Sequence, residues 1–157
     1  MKERLITALE ETLAANRDGD TQNLIFQSEN LPLREAAANS LREWAERRGL
    51  CLVEIDEDND AWISEVPNRV LFDRLSRPNT VLLIKNYATV NWMDIEKYNP
   101  RCFLRDLVLH RHYGCGNDWF PSDDLPDLLF IVAINDAIDM YWDAKERASF
   151  KPACQEG

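Results

Sequence analysis

Hydrophobic positions along the chain follow two alternating patterns, one typical of amphipathic helices and one typical of short buried strands. Leu5, Ile6, Leu9 and Leu13 recur at helical spacing and predict a first helix. Further helices are predicted over 32–48, 67–76, 103–110 and 137–148. Short apolar runs predict strands over 23–27, 50–55, 80–84 and 128–134.

The order of these elements predicts the fold class. Strands alternate with helices, and the runs at 80–84 and 128–134 are apolar without alternation, which is typical of strands covered on both faces. We therefore expect an α/β fold, a three-layer sandwich around a mainly parallel sheet with right-handed crossovers. Ligands of such sheets bind at the carboxyl ends of the strands. Here those ends are 27–28, 54–56, 85–86 and Asn135.

Composition narrows the functional classes. The 157 residues predict a single domain, with a helix over 1–20 packed on a core domain over 21–157. The net charge of −10 argues against direct nucleic-acid binding, which depends on clustered Lys and Arg. No apolar run reaches ~18 residues, so no membrane span is expected. Four cysteines without a CxxC pair, and no signal-peptide pattern, favour reduced thiols and a cytoplasmic location.

Two stretches carry a resemblance to a known family. NRVLFDRLSRPNTVLLIKNY at 68–87 has a helix followed by an apolar strand, and LLFIVAIN at 128–135 is a second such strand with a polar end. Over roughly 20–150 the chain resembles the core domain of AAA+ proteins, a branch of the P-loop ATPases. The resemblance implies a P-loop NTPase-like fold in which the first stretch ends at Walker B and the second at sensor 1.

The stretch in the Walker A position departs from the family motif. GxxxxGK[ST] wraps a phosphate with backbone N–H groups, neutralises it with Lys and binds Mg²⁺ through the hydroxyl. The chain has SENLPLRE at 28–35, beginning with Ser28 and lacking glycine, and Pro32 has no N–H group. Arg34 stands near the Lys position, and Glu35 replaces the hydroxyl.

The other nucleotide-contacting positions are also altered or have a second interpretation. Lys85 and Asn86 stand where Walker B has Asp-Glu, which removes the carboxylates that hold Mg²⁺ and polarise water. Asn135 matches sensor 1, or is a polar strand end that caps the next helix. Arg147 matches an arginine finger, or is a solvated helix residue. The resemblance thus implies a degenerate nucleotide site with no cofactor and no ATP hydrolysis, comprising Ser28, Arg34, Glu35, Lys85, Asn86, Asn135 and Arg147.

Two further groups of residues are candidates for chemistry or binding. His110, His112 and Cys115 form a zinc-like cluster that lacks an evident fourth ligand, and His112 with Cys115 is also a nucleophile–base candidate. The candidate interface anchors are two aromatic residues in the loop before Pro121 and two that lie beside acidic residues, because buried aromatic residues dominate binding hot spots. These are Trp119, Phe120, Tyr141 and Trp142.

The sequence predicts a non-catalytic AAA+-like domain that acts through protein–protein interaction as a scaffold, regulator or pseudo-subunit. Its partner would be a protein, either an active AAA+ protein or one with a basic surface. A second hypothesis is an acidic decoy that covers a nucleic-acid-binding surface, because acidic residues are grouped at 54–60 and 118–127. Residual nucleotide binding is a third hypothesis, and an enzyme that uses Cys115 and His112 is a fourth.

Overall fold

The computed structural model describes residues 2–56, 68–86, 107–108, 128–136 and 148–155. Three helices are bounded within these ranges: α1 (Lys2–Arg17), α2 (Leu31–Arg47) and α3 (Asn68–Leu75). Five strands are bounded: β1 (Asn23–Gln27), β2 (Cys51–Asp56), β3 (Thr80–Lys85), β4 (Phe130–Asn135) and β5 (Phe150–Gln155).

The five strands form one parallel sheet in the order β2-β3-β4-β1-β5. β4 lies at the centre, where Val132 is in register with Leu24 of β1 on one side and with Leu83 of β3 on the other. β2 and β5 stand at the two ends of the strand order. The prediction of an α/β fold with a parallel sheet is therefore confirmed.

Alternation along the strands divides the core between the two faces of the sheet. On one face Phe26, Leu83 and Val132 pack with α1 and α2. On the other face Ile84 and Ile131 pack with α3 and with the helical residues 107–108. Helices thus cover both faces, which explains why β3 and β4 are apolar along nearly their whole length.

α1 is built into the first of these two cores. Leu5, Leu9 and Leu13 of α1 are each at most 1% exposed and pack against α2 and the sheet. Glu10 accepts a hydrogen bond of 2.9 Å from Nε1 of Trp44, which ties α1 to α2. That bond, with a smaller contribution from Arg48, holds the pKa of Glu10 below its ordinary value.

Several predicted elements match the structure closely. The predicted helix 32–48 corresponds to Leu31–Arg47, and the predicted strand 80–84 to Thr80–Lys85. β5 was not predicted, because Pro152 argues against a strand in the sequence. The predicted helices 103–110 and 137–148 lie almost entirely outside the described residues. Within the described ranges, none of the helices has the length and apolar character that a membrane span requires.

Candidate functional site

A pocket of about 360 Å³ opens at the carboxyl end of the sheet, between α2 and the ends of β2, β3 and β4. Parallel sheets place their ligand sites at this edge. Ten residues line the pocket: Leu31, Arg34, Glu35, Ala38, Asn39, Arg42, Asp56, Lys85, Asn86 and Ile134.

Two periodicities bring these residues together. On α2, residues three and four positions apart share a helix face, so Leu31, Arg34, Ala38 and Arg42 form one wall. On the sheet, every second side chain faces α2, and Asp56 of β2 is in register with Lys85 of β3. The pocket is therefore a product of the sheet register and the packing of α2 on the sheet.

The connection between β1 and α2 consists of residues 28–30 only. Ser28 is buried, its N–H donates to the carbonyl of Asn135 at 3.0 Å, and its Oγ accepts from the N–H of Asn30 at 3.1 Å. Oδ1 of Asn30 accepts from the N–H of Leu33 at 3.2 Å and caps α2. Nη1 of Arg34 donates to the Ser28 carbonyl at 2.8 Å. The connection is thus short and largely bonded to its own neighbours.

The first turn of α2 offers few free backbone donors. Pro32 has no N–H group, and the N–H of Leu33 is bonded to Asn30. Arg34 and Glu35 already lie within the helix, so their positions relative to one another are set by helical geometry. An anion at this end of α2 would therefore be held mainly by side chains.

A carboxylate lies opposite α2, at the end of β2. Oδ1 of Asp56 accepts a hydrogen bond of 2.9 Å from Nδ2 of Asn86, and Nζ of Lys85 is 4.0 Å from Oδ2 of Asp56. Asn86 has a φ of 57°, a left-handed conformation that Asn tolerates better than most residues. Its N–H donates to the carbonyl of Ile134 at 2.9 Å, which fixes the Asn86 backbone at the mouth of the pocket.

Arg42 and Glu54 form a two-bond ion pair beside the pocket. Nε and Nη2 of Arg42 donate to the Glu54 carboxylate at 2.9 and 2.7 Å, and Nη1 donates to Oδ1 of Asn39 at 2.7 Å. The hydrogen bonds from Arg42 hold the pKa of Glu54 below its ordinary value, against the opposing effect of desolvation. The same pair raises the pKa of Arg42. Arg42 therefore has its charge already matched by a carboxylate.

Arg34 differs from Arg42 in its partners. Its guanidinium donates one hydrogen bond to the Ser28 carbonyl, and it has no carboxylate partner within the part of the chain that the structure describes. The lining as a whole contains three cationic and two anionic side chains. The lining residues include no serine, cysteine or histidine. The cations among them are suited to bind an anionic group.

The structure brings four of the predicted site residues to one pocket: Arg34, Glu35, Lys85 and Asn86. Ser28 lies beneath it as the acceptor for Arg34. Asn135 is buried, and strand alternation places its side chain on the face away from α2. The remaining predicted residues lie outside the described ranges: Arg147, His110, His112, Cys115, Trp119, Phe120, Tyr141 and Trp142. Within those ranges no cluster of three potential metal ligands is present.

Sequence reasoning did not single out Asp56, Asn39 or Arg42 as site residues. Asp56 belongs to the strand end 54–56, where a ligand is expected, but it was also grouped with the acidic residues 54–60 and given no role in a pocket. Asn39 and Arg42 lie on the helical repeat that begins at Leu31 and Arg34, but only the packing of α2 on the sheet shows that this face borders a pocket.

Comparison with known proteins gives no match: no family model fits the chain, and neither a curated protein nor a solved structure is similar to it. None of these comparisons identifies an AAA+ domain.

Proposed function

We propose that this protein is a non-catalytic AAA+-like domain, which acts by binding another protein and does not hydrolyse ATP. The observation that carries the proposal is the β1–α2 connection, where three residues and a capped helix occupy the place of a phosphate-binding loop. A Walker A loop needs eight positions, including two glycines, to wrap a phosphate. The matching positions 28–35 contain no glycine, and α2 already begins at the fourth of them, Leu31, so only residues 28–30 lie outside the helix.

The sheet supports the AAA+-like part of the proposal. All five strands are parallel, and helices cover both faces of the sheet. This is the three-layer α/β architecture that the resemblance implies. The order is neither of the two common doubly wound orders, in which the first strand is adjacent to the second, because β1 here is adjacent to β4 and β5.

The chemistry of the pocket supports the absence of hydrolysis. ATP hydrolysis needs Mg²⁺ bridging the phosphates and a group that orients the attacking water. Lys85 and Asn86 occupy the end of β3, and the nearby Asp56 carboxylate accepts from Asn86 and faces the Lys85 ammonium. Glu35 adds negative charge on the α2 side. A site without a metal-binding hydroxyl or a free strand-end acid is poorly suited to Mg²⁺ and triphosphate.

The surface features support a role in protein binding. Leu31 is 54% exposed at the pocket and Val70 is 40% exposed on α3, so each face of the domain carries a large apolar side chain in contact with solvent. The net charge of −10 instead favours the second candidate function, an acidic decoy that binds a basic surface.

Phosphate release and nucleotide binding test the proposal directly. We expect the purified chain with Mg²⁺ and ATP to release phosphate no faster than buffer, and a fluorescent ATP analogue to show no saturable binding. The double variant Lys85→Asp/Asn86→Glu is the matched control, because it restores acids at β3 but leaves residues 28–30 unchanged. We expect it to remain inactive, whereas micromolar binding or turnover by the native chain would contradict the proposal.

Protein binding is tested by capture of partners with the immobilised chain, followed by measurement of the purified pair. We expect a defined complex whose affinity changes little with ionic strength. An affinity that falls steeply with salt would instead indicate the acidic decoy, because exposed charges are screened over about 8–10 Å at physiological salt. The absence of any stable complex would contradict a role in protein binding.

A further inference from the structure

We propose that the pocket at the carboxyl end of the sheet binds a small anionic metabolite, whose carboxylate or phosphate group contacts Arg34 and Lys85 without a divalent metal. This proposal depends on the pocket itself and not on the relation to AAA+ domains. It also goes beyond protein binding, because it assigns a ligand class to a defined cavity.

The first argument is the availability of the cations. Arg42 is matched by Glu54 through bonds of 2.9 and 2.7 Å, so it has no charge to offer a ligand. Arg34 donates one N–H to the Ser28 carbonyl, and the remaining N–H groups of its planar guanidinium can donate to a ligand. Lys85 is 4.0 Å from Asp56, the outer limit of an ion pair. Arg34 and Lys85 line the pocket from opposite sides, α2 and β3.

The second argument is the choice between an anion and a metal. A divalent cation prefers several carboxylate or carbonyl oxygens. Of the two lining carboxylates, Asp56 already accepts from Asn86 and faces the Lys85 ammonium, which would repel a metal ion. Guanidinium and ammonium groups, in contrast, form strong charge-assisted hydrogen bonds to carboxylate and phosphate oxygens. The lining therefore favours an oxyanion bound directly by side chains.

The third argument is size. A volume of about 360 Å³ is at the lower end of the range for small-molecule sites. Ala38 and Ile134 supply apolar surface, and Asn39 retains its amide NH2 group because only its Oδ1 is used by Arg42. Because Arg42 is matched by Glu54, the two other lining cations face two lining carboxylates, and this balance suits a ligand of low negative charge better than a triphosphate. The occupant is thus a compact molecule with one or two negative charges and a polar body.

Isothermal titration calorimetry in EDTA tests the proposal with two probes, inorganic phosphate and succinate. We expect at least one of them to bind the native chain saturably at one site. Binding of phosphate alone would assign a phosphate ester, and binding of succinate alone would assign a carboxylate. The variants Arg34→Gln and Lys85→Gln should each weaken that binding about tenfold or more, because one charge-assisted hydrogen bond contributes roughly 1.5–3 kcal/mol.

Arg47→Gln is the matched control, because Arg47 is an exposed arginine on the same helix and does not line the pocket. We expect this variant to bind the probe with the affinity of the native chain, within experimental error. Circular dichroism checks the fold of Arg34→Gln, because Arg34 also bonds the Ser28 carbonyl. Lys85→Gln provides an independent variant without that contact. The proposal is overturned by no saturable binding of either probe, by unchanged binding in both pocket variants, or by a requirement for Mg²⁺. None of these results would bear on ATP hydrolysis or on protein binding.

Discussion

At the scale of single residues, the Arg42–Glu54 pair links pH to stability. In the folded protein the pKa of Glu54 lies below its ordinary value of 4.5, and the largest cause is the pair of hydrogen bonds that Arg42 donates to its carboxylate. A lowered pKa means that the folded state favours the ionised carboxylate more than the unfolded state does. The stabilisation by the pair is therefore complete above the unfolded pKa and is lost as the pH falls through the folded pKa.

We expect Glu54→Gln to lower the free energy of unfolding at pH 7 by about 0.5–1 kcal/mol, a small value because solvent screens partly exposed pairs. The side chains of Arg42 and Glu54 are 39% and 34% exposed. Urea unfolding between pH 7 and pH 3 should show the difference from the native chain shrinking towards the acid end. Glu46→Gln, an exposed glutamate on α2 without an ion pair among the described residues, should show no such trend. A constant difference at every pH would count against the pair.

At the level of residues, the sequence indicates positions where local order along the chain is sufficient. Lys85 and Asn86 follow from a strand end, and Arg34 and Glu35 were named through the resemblance to AAA+ proteins. All four line the same pocket. Hydrogen bonds between residues on different strands could not be predicted, because they depend on which strands pair and in which register. The bond between Asn86 and Asp56 depends on the pairing of β2 with β3, and no local pattern specifies which strands are neighbours.

At the scale of elements, the start of α2 determines the geometry of the site. Asn30 accepts from the N–H of Leu33 and so fixes where the helix begins. We expect Asn30→Ala to lower the free energy of unfolding by about 1 kcal/mol, because the cap satisfies a donor that is otherwise unpaired. Chemical denaturation measures this loss. Asn30→Asp keeps an acceptor and should lose much less, so equal losses in both variants would exclude a capping role.

The elements that were predicted well are those whose burial is uniform. β3 and β4 are buried along nearly their whole length, and α2 has a long apolar repeat with a proline in its first turn. β5 is absent from the predicted strands, and Pro152 within it weakens the strand signal in the sequence. The structure tolerates this proline because β5 lies at the end of the strand order, where its N–H group is not needed by a second neighbour. Its pairing with β1 is also irregular between Ile25 and Gln27, which weakens any signal of register in the sequence.

At the scale of the whole molecule, α1 and the sheet share one core. Leu9 is fully buried against α2 and the sheet. We expect Leu9→Ala to lower the free energy of unfolding by about 2–5 kcal/mol, through lost burial and a residual cavity. Denaturation followed by both circular dichroism and tryptophan fluorescence should remain a single transition. Thr7→Ala, at an exposed position of α1, is the control, and an early separate loss of helix signal in Leu9→Ala would show that α1 unfolds independently.

The interior position of β1 in the sheet has a consequence for synthesis on the ribosome. β1 is made well before both of its neighbours, because β4 and β5 follow much later in the sequence. The side chain of Asn23, for example, accepts from the N–H of Ile131, 108 positions later. A nascent chain therefore carries the apolar segment Asn23–Gln27 without its permanent neighbours until translation has passed β5. Such high contact order slows folding and prolongs exposure to aggregation, so a cell would need chaperones most during that interval.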